Sequence, residues 1–100
     1  MLDVKLKDKG TEGELFLSGR LDSVTSPDME RVLLQMAEKY TRLVLNFTQL
    51  AYISSAGLRV MKKGHLAMKK KGGEMVITGV NAMIMEVFEM TGFAGFLSFA

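Results

Sequence analysis

The segment Arg42–Phe47 carries Leu43-Val44-Leu45, three consecutive apolar residues that would cover both faces of a strand. Such a strand belongs at the buried centre of a sheet. On its N-terminal side, Met29, Val32, Leu33, Met36, Ala37 and Tyr40 mark one face of a helix. On its C-terminal side, Gly57, Val60, Met61, Gly64, Ala67 and Met68 fall on one face at about 100° per residue. Strands separated by helices pair in parallel through right-handed crossovers, so this arrangement constrains the chain to an α/β fold.

The remaining segments fit that frame. Residues 2–7 and the stretch around Leu15-Phe16-Leu17-Ser18 alternate with period two, and Lys9-Gly10-Thr11-Glu12-Gly13 supplies the turn of a β-hairpin. Ser26 is the expected N-cap of the first helix, with Pro27 at its first position and Asp28 and Glu30 near the positive end of its dipole. The second helix is expected from Ser54 or Ser55 to about Lys71, stopped by Gly72-Gly73. Glu74–Thr78 reads as a strand, and Asn81 as the cap of a third helix with Ile84, Val87, Phe88 and Thr91 inward, ending at Gly92. A short strand around Phe96–Phe99 completes the order β-β-α-β-α-β-α-β, a mixed β-sheet with helices in one domain over residues 1–100.

Composition narrows the function classes. A chain of 100 residues with 48% hydrophobic and 24% charged residues has the make-up of one folded domain. Its net charge of +2 gives no electrostatic case for nucleic acid, and the lysines at 62, 63, 69, 70 and 71 lack interleaved aromatics for base stacking. The absence of cysteine excludes disulfides and thiolate metal sites and fits a cytoplasmic protein. The alternating N-terminus has no signal-peptide core, and the apolar run Phe93–Ala100 is far below the ~20 residues of a membrane helix. Neither a membrane nor a nucleic-acid partner is expected.

Chemistry concentrates at Ser54 and Ser55, at the expected start of the second helix, where strand ends and helix starts face partners in such sheets. Either serine could cap the helix by accepting a backbone N–H. Either could instead accept a phosphate, whose oxygens would meet free N–H groups and the positive dipole end, so that the fold tolerates the new charge while a partner meets it. Leu58 falls off the main apolar face and Arg59 points away from the core, so both are expected on a contact surface. Met83, Met85 and Met90 flank the third helix, as a pliable patch or as core filling. His65, the single histidine, lies ten residues from Ser55 on the same helix, ~15 Å along its axis, too far for a Ser–His pair. No nucleophile elbow, phosphate loop or metal-ligand spacing appears, so no catalysis, metal or cofactor is expected.

The runs Leu17-Ser18-Gly19-Arg20-Leu21-Asp22 with Thr25, Leu43–Phe47, Leu50-Ala51-Tyr52-Ile53-Ser54-Ser55-Ala56-Gly57-Leu58, Lys71–Met75 and Val87–Phe93 follow one another in a set order. In that order they resemble the STAS domain and within it the bacterial anti-sigma factor antagonists. The resemblance implies a domain that binds an anti-sigma factor with serine kinase activity and frees a sigma factor. It further implies inactivation by serine phosphorylation, reversed by a serine phosphatase. The family's pattern is Asp-Ser-Ser/Thr-Gly-Leu with the first hydroxyl as acceptor; aligned on Gly57, that residue is Ser55. Here Ser54 replaces the Asp and Ala56 the second hydroxyl. The implied partner contacts are Asp22, Thr25, Ser54, Ala56, Gly57, Leu58 and Arg59. Asp22 and Thr25 have equal standing as local turn formers. Two other duties stay open: a STAS subunit of a transport or stress-sensing complex, and a nucleotide or small-molecule sensor.

Overall fold

The computed structural model describes residues 1–100. Strands β1 (Leu2–Lys9) and β2 (Glu12–Leu21) form an antiparallel hairpin closed by Gly10-Thr11. Gly10 has φ +83°, the left-handed first position that a two-residue hairpin loop can use. The chain continues through α1 (Ser26–Lys39), β3 (Arg42–Ile53), α2 (Ser55–Lys70), β4 (Glu74–Thr78) and α3 (Ala82–Met90). A 3₁₀ turn at Phe93–Gly95 precedes β5 (Ser98–Phe99). The sheet order is β1-β2-β3-β4-β5, parallel at every pairing after the hairpin. This is the mixed α/β sheet and the element order expected from the sequence.

Alternation along the strands decides which face is covered. Leu15, Leu17 and Leu21 of β2, Leu43, Leu45 and Phe47 of β3, and Met75 and Ile77 of β4 point to one side. There they join Met29 and Leu33 of α1, Val60, Met61 and Met68 of α2, and Ile84 and Phe88 of α3 in one apolar core. All three helices therefore share a single face of the sheet. Val44 and Val76 are buried outside that core and pair with each other in register on the opposite face. That pairing explains why Leu43-Val44-Leu45 is apolar at every position.

β3 is twice as long as the apolar run in Arg42–Phe47 suggests. Its pairing with β2 shifts register between Phe16 and Ser18 and again between Gly19 and Arg20. Each irregularity changes which residues face inward, so the buried positions run Leu45, Phe47, Leu50, Ile53 rather than every second residue. Gly19, at φ +105°, lies at the second shift, where a side chain would run into the Met1 carbonyl. The extension of β3 past Asn46 pairs with β2 alone and carries the chain directly to the start of α2.

Helix ends follow the local chemistry. The Asn81 side chain accepts from the Ile84 amide at 2.8 Å and caps α3. Thr91, expected on the inner face of α3, is instead its exposed C-cap, with its hydroxyl 2.7 Å from the Val87 carbonyl. Lys71 donates its ammonium to the carbonyls of Ala37, Glu38 and Tyr40 at 2.7, 3.2 and 3.1 Å. One lysine of the basic run thus satisfies the C-terminal carbonyls of α1.

Candidate functional site

Two chain reversals meet at one end of the sheet: the turn from β2 into α1 and the junction from β3 into α2. The Ser54 amide donates to the Leu21 carbonyl at 2.9 Å and ties them together. Gly57 makes the approach possible. A Cβ there would lie 2.8 Å from Leu21 Cγ, 2.8 Å from Ile53 Cγ1 and 3.0 Å from the Leu21 carbonyl oxygen.

The β2–α1 turn is built around Asp22 and Thr25. Asp22 Oδ1 accepts the amides of Val24 and Thr25, each at 3.1 Å, and the Asp22 carbonyl accepts the Ser26 amide at 2.8 Å. Thr25 Oγ1 accepts the Asp22 amide at 2.9 Å and lies 2.9 Å from the Arg20 carbonyl and 3.2 Å from Asp22 Oδ1, to one of which it donates. The Thr25 amide, then the Thr25 hydroxyl and Val24 amide, hold the Asp22 carboxyl below the usual carboxylate range. These bonds realise the local role that the sequence left open for both residues. They also move the cap of α1: Thr25 occupies it, Ser26 begins the helix, and Pro27 follows. Ser26, the cap expected from the sequence, is instead 4% exposed, and its hydroxyl has no hydrogen-bond partner.

The two serines of the second junction differ sharply. Ser54 is the extended N-cap of α2, yet its hydroxyl makes no cap bond, is buried, and has no partner. Ser55 is the first helical residue and is exposed. The first turn contains no acidic residue, and the amides of Ser55, Ala56 and Gly57 find no acceptor in the chain. The start of α2 therefore presents open N–H groups beside an accessible hydroxyl.

The neighbours complete the surface. Arg59, one turn beyond Ser55, is exposed and joins no ion pair. Leu58 corrects the sequence reading: it is 2% exposed and part of the core, not of the contact surface. The apolar face of α2 is wider than one narrow stripe: Leu58 lies on the same flank as His65, which packs on Phe96. A cleft of about 310 Å³ runs between the starts of α1 and α2, with Ser23, Ser26, Glu30, Ala56, Arg59 and Lys63 on its walls. Lys63 and Glu30 pair across it at 3.1 Å.

No separate role for Arg20 or Tyr52 is legible in the sequence. They pair in register on β2 and β3, and the Arg20 guanidinium lies 4.2 Å from the Tyr52 ring centroid. Arg20 Nε also lies 3.6 Å from Asp22 Oδ2. Tyr52 is 39% exposed and Val24 83% exposed, so both extend the surface around the junction. The only signal for this pair was that each precedes a core residue, Leu21 or Ile53, that ends its strand; the register shifts hide the rest. Elsewhere, Met83 and Met90 are exposed whereas Met85 packs against the core. His65 packs on Phe96 with ring centroids 4.9 Å apart, away from the junction.

The STAS domain profile matches residues 4–100. The anti-sigma-B factor antagonist of Staphylococcus aureus is 34% identical over 80 residues, which span 79% of this chain and 74% of that protein. The chain belongs to the STAS domain family, among the anti-sigma factor antagonists. The anti-sigma-B factor antagonist of Listeria monocytogenes is 24% identical over 93 residues, 91% of this STAS domain and 82% of its relative. The fold agrees with solved structures. An anti-sigma factor antagonist from Mycobacterium paratuberculosis superimposes with a TM-score of 0.87 at 18% identity, covering 99% of this chain and 85% of the other. The antagonist SpoIIAA in its unphosphorylated form gives 0.78 at 14% identity, covering 98% and 87%.

Proposed function

We propose that this STAS domain binds an anti-sigma factor that is also a serine kinase, and that it is switched off by phosphorylation of Ser55. Bound to the kinase, it frees a sigma factor in the cytoplasm. The kinase transfers the γ-phosphoryl group of ATP to Ser55 Oγ, releasing ADP and taking up the hydroxyl proton; a serine phosphatase returns the serine by hydrolysis. The observation that carries the reading is the contrast between the two serines: Ser55 is accessible, whereas the Ser54 hydroxyl is buried. A kinase can reach the first and not the second without opening the start of α2.

The physics of the switch follows from the position. A phosphate brings about −1.5 to −2 charges at neutral pH. On the first residue of α2 it adds them where the open amides and the dipole favour an anion, so the domain stays folded. A partner that covers Ser55 must strip water from that anion, which costs several kcal/mol unless a countercharge is supplied. SpoIIAA has been solved in a phosphorylated form as well, and that form matches this chain with a TM-score of 0.77 at 16% identity, covering 98% of this chain and 91% of the other. A fold of this kind in a phosphorylated protein supports a switch that acts through the surface.

Titration calorimetry of wild type, Ser55→Ala and Ser55→Asp against the anti-sigma factors encoded in the same genome tests the reading. Wild type and Ser55→Ala are expected to bind one of them, and Ser55→Asp to bind it at least about tenfold more weakly, a loss of about 1.4 kcal/mol. Equal binding by all three would overturn it.

A further inference from the structure

β1 is the long free edge of the sheet: it pairs with β2 alone over eight residues, whereas β5, at the other edge, is two residues long. The Arg20 amide donates to the Met1 carbonyl at 3.0 Å. Bonding alternates along an antiparallel ladder, so Met1, Asp3, Lys5 and Lys7 turn their backbone groups toward β2. Leu2, Val4 and Leu6 turn theirs outward, where the sheet ends. Their side chains lie on the helix side and are only partly covered: Leu2 and Val4 border the core, and Leu6 is 42% exposed. A cleft of about 560 Å³ lies over Leu2 and Val4, with Met1, Val24, Met29 and Val32 on its walls. Asp3 and Lys5 stand on the opposite face, exposed and without an ion pair. Natural edges are usually blunted by a bulge or a cover. β1 has neither: its register with β2 runs unbroken from Leu2 to Lys9.

We propose that β1 pairs antiparallel with β1 of a second copy of this chain, about a two-fold axis through Val4, so that the two five-stranded sheets become one. The run Leu2-Asp3-Val4-Lys5-Leu6 selects this occupant, because it complements itself when reversed. Val4 meets the partner's Val4, Leu2 meets the partner's Leu6, and Asp3 meets the partner's Lys5; symmetry repeats the last two pairs. Leu2, Val4 and Leu6 are the residues whose backbone groups face outward, so each apolar pair exchanges two hydrogen bonds. Neighbouring registers fail. A slip of one residue turns the apolar side chains of one copy onto the charged face of the other. A slip of two sets either Lys5 against Lys5 or Asp3 against Asp3. Lysine on an edge strand ordinarily deters pairing. Here Lys5 arrives with its own countercharge two residues away.

Sedimentation velocity of the full chain from about 10 µM to about 1 mM reads the pairing, since an interface as small as one strand pair is weak. The wild type is expected to pass from monomer to dimer in that range. Asp3→Lys and Lys5→Asp should each raise the dissociation constant about tenfold, because each sets like charges opposite one another twice per dimer. The double exchange, Asp3→Lys with Lys5→Asp, should restore it. Asp3→Lys adds two positive charges to a chain of net charge +2 and Lys5→Asp removes two, so net charge alone would move the two variants in opposite directions. Both side chains are exposed, so neither change threatens the fold. Amide hydrogen exchange supplies a second readout. Raising the concentration should slow Leu2, Val4 and Leu6 and leave Asp3 and Lys5, already bonded to β2, unchanged. A chain that stays monomeric up to about 1 mM would overturn the proposal and leave this edge to an extended segment of another protein. A dimer indifferent to both charge reversals would overturn it as well, by seating the second copy on another surface.

Discussion

Ser54 donates its amide to the carbonyl of Leu21 at 2.9 Å, joining the last residue of β2 to the residue before α2. One hydrogen bond makes the Asp22–Thr25 turn and the Ser55 junction a single block. Residues 33 apart in the chain, Leu21 and Ser54, therefore hold one surface together, and a change in either segment is felt in the other. Tight backbone contact of this kind needs small side chains nearby, and Gly57 supplies the absence.

Gly57→Ala should destabilise the domain by about 1–3 kcal/mol, because its new methyl group overlaps Leu21 and Ile53 and has nowhere to go. Urea unfolding would give the stability change. Gly57 is buried, so a substitution there would act on binding only through where α2 starts. Binding should weaken in the variant even where the domain remains folded.

Leu58→Ala should cost about 2–5 kcal/mol, the range for emptying a well-packed core site. A residue on the contact surface would show the reverse pattern, with lost binding and little change in stability. Thermal unfolding and calorimetry on the same preparation separate the two.

Much of this fold was legible from the sequence for identifiable reasons. Asn81 caps α3 because the asparagine, the apolar spacing after it and Gly92 all agree. The spacing of Val60, Met61, Gly64 and Met68 likewise defined the inner face of α2. What stayed hidden depends on contacts between distant segments. The end of β3 was lost because two register shifts break its alternation. Leu58 is hidden because the flank of α2 that it shares with His65 is covered only in the fold, where the segment around Phe96 returns to it. Local spacing points to Ser26 as the cap and cannot reveal that Asp22 already holds the amides leading into α1. The same limit applied to the serines: two adjacent hydroxyls look alike in sequence, and only the folded junction buries one.

Ser54→Ala should leave stability unchanged within about 0.5 kcal/mol or raise it slightly, since a buried hydroxyl without a partner contributes no net hydrogen bond. Intact-mass measurement after incubation with the cognate kinase and ATP should still show one added phosphate. Loss of that phosphate would move the acceptor to Ser54.

The Asp22 carboxyl sets an acid limit on this end of the molecule. Bonds from the Thr25 amide, and then from the Thr25 hydroxyl and Val24 amide, hold its folded pKa below the unfolded value of about 3.9. The folded state is thus the weaker proton binder. Its contribution is complete above the unfolded pKa, declines as pH falls below it, and is gone once pH passes the folded pKa. Glu14, lowered first by its bond from Lys9 and then by Asn46, behaves in the same direction. Asp22→Asn keeps the acceptor oxygen and removes the titration. Its unfolding midpoint should therefore fall less than that of wild type between pH 5 and pH 2. Parallel acid limbs would refute the assignment.

Arg20 and Tyr52 form the one exposed cation–aromatic pair beside Ser55, and their energetic part in the fold is small. A solvent-facing pair of this kind is worth about 0.5–1 kcal/mol, so Tyr52→Ala should unfold within about 1 kcal/mol of wild type. Binding is a different matter. A ring that is 39% exposed and already held by a guanidinium loses little freedom when a partner covers it, and tyrosine and arginine are the side chains that dominate interface energetics. If the surface around Ser55 meets the anti-sigma factor, Tyr52→Ala should weaken that complex about tenfold or more while leaving the Ser54–Leu21 bond and the start of α2 intact. Calorimetry of the variant, with amide chemical shifts of Ser54 and Ser55 as the check on structure, decides the point. Undiminished affinity would confine the contact surface to the other side of Ser55, toward Ala56 and Arg59.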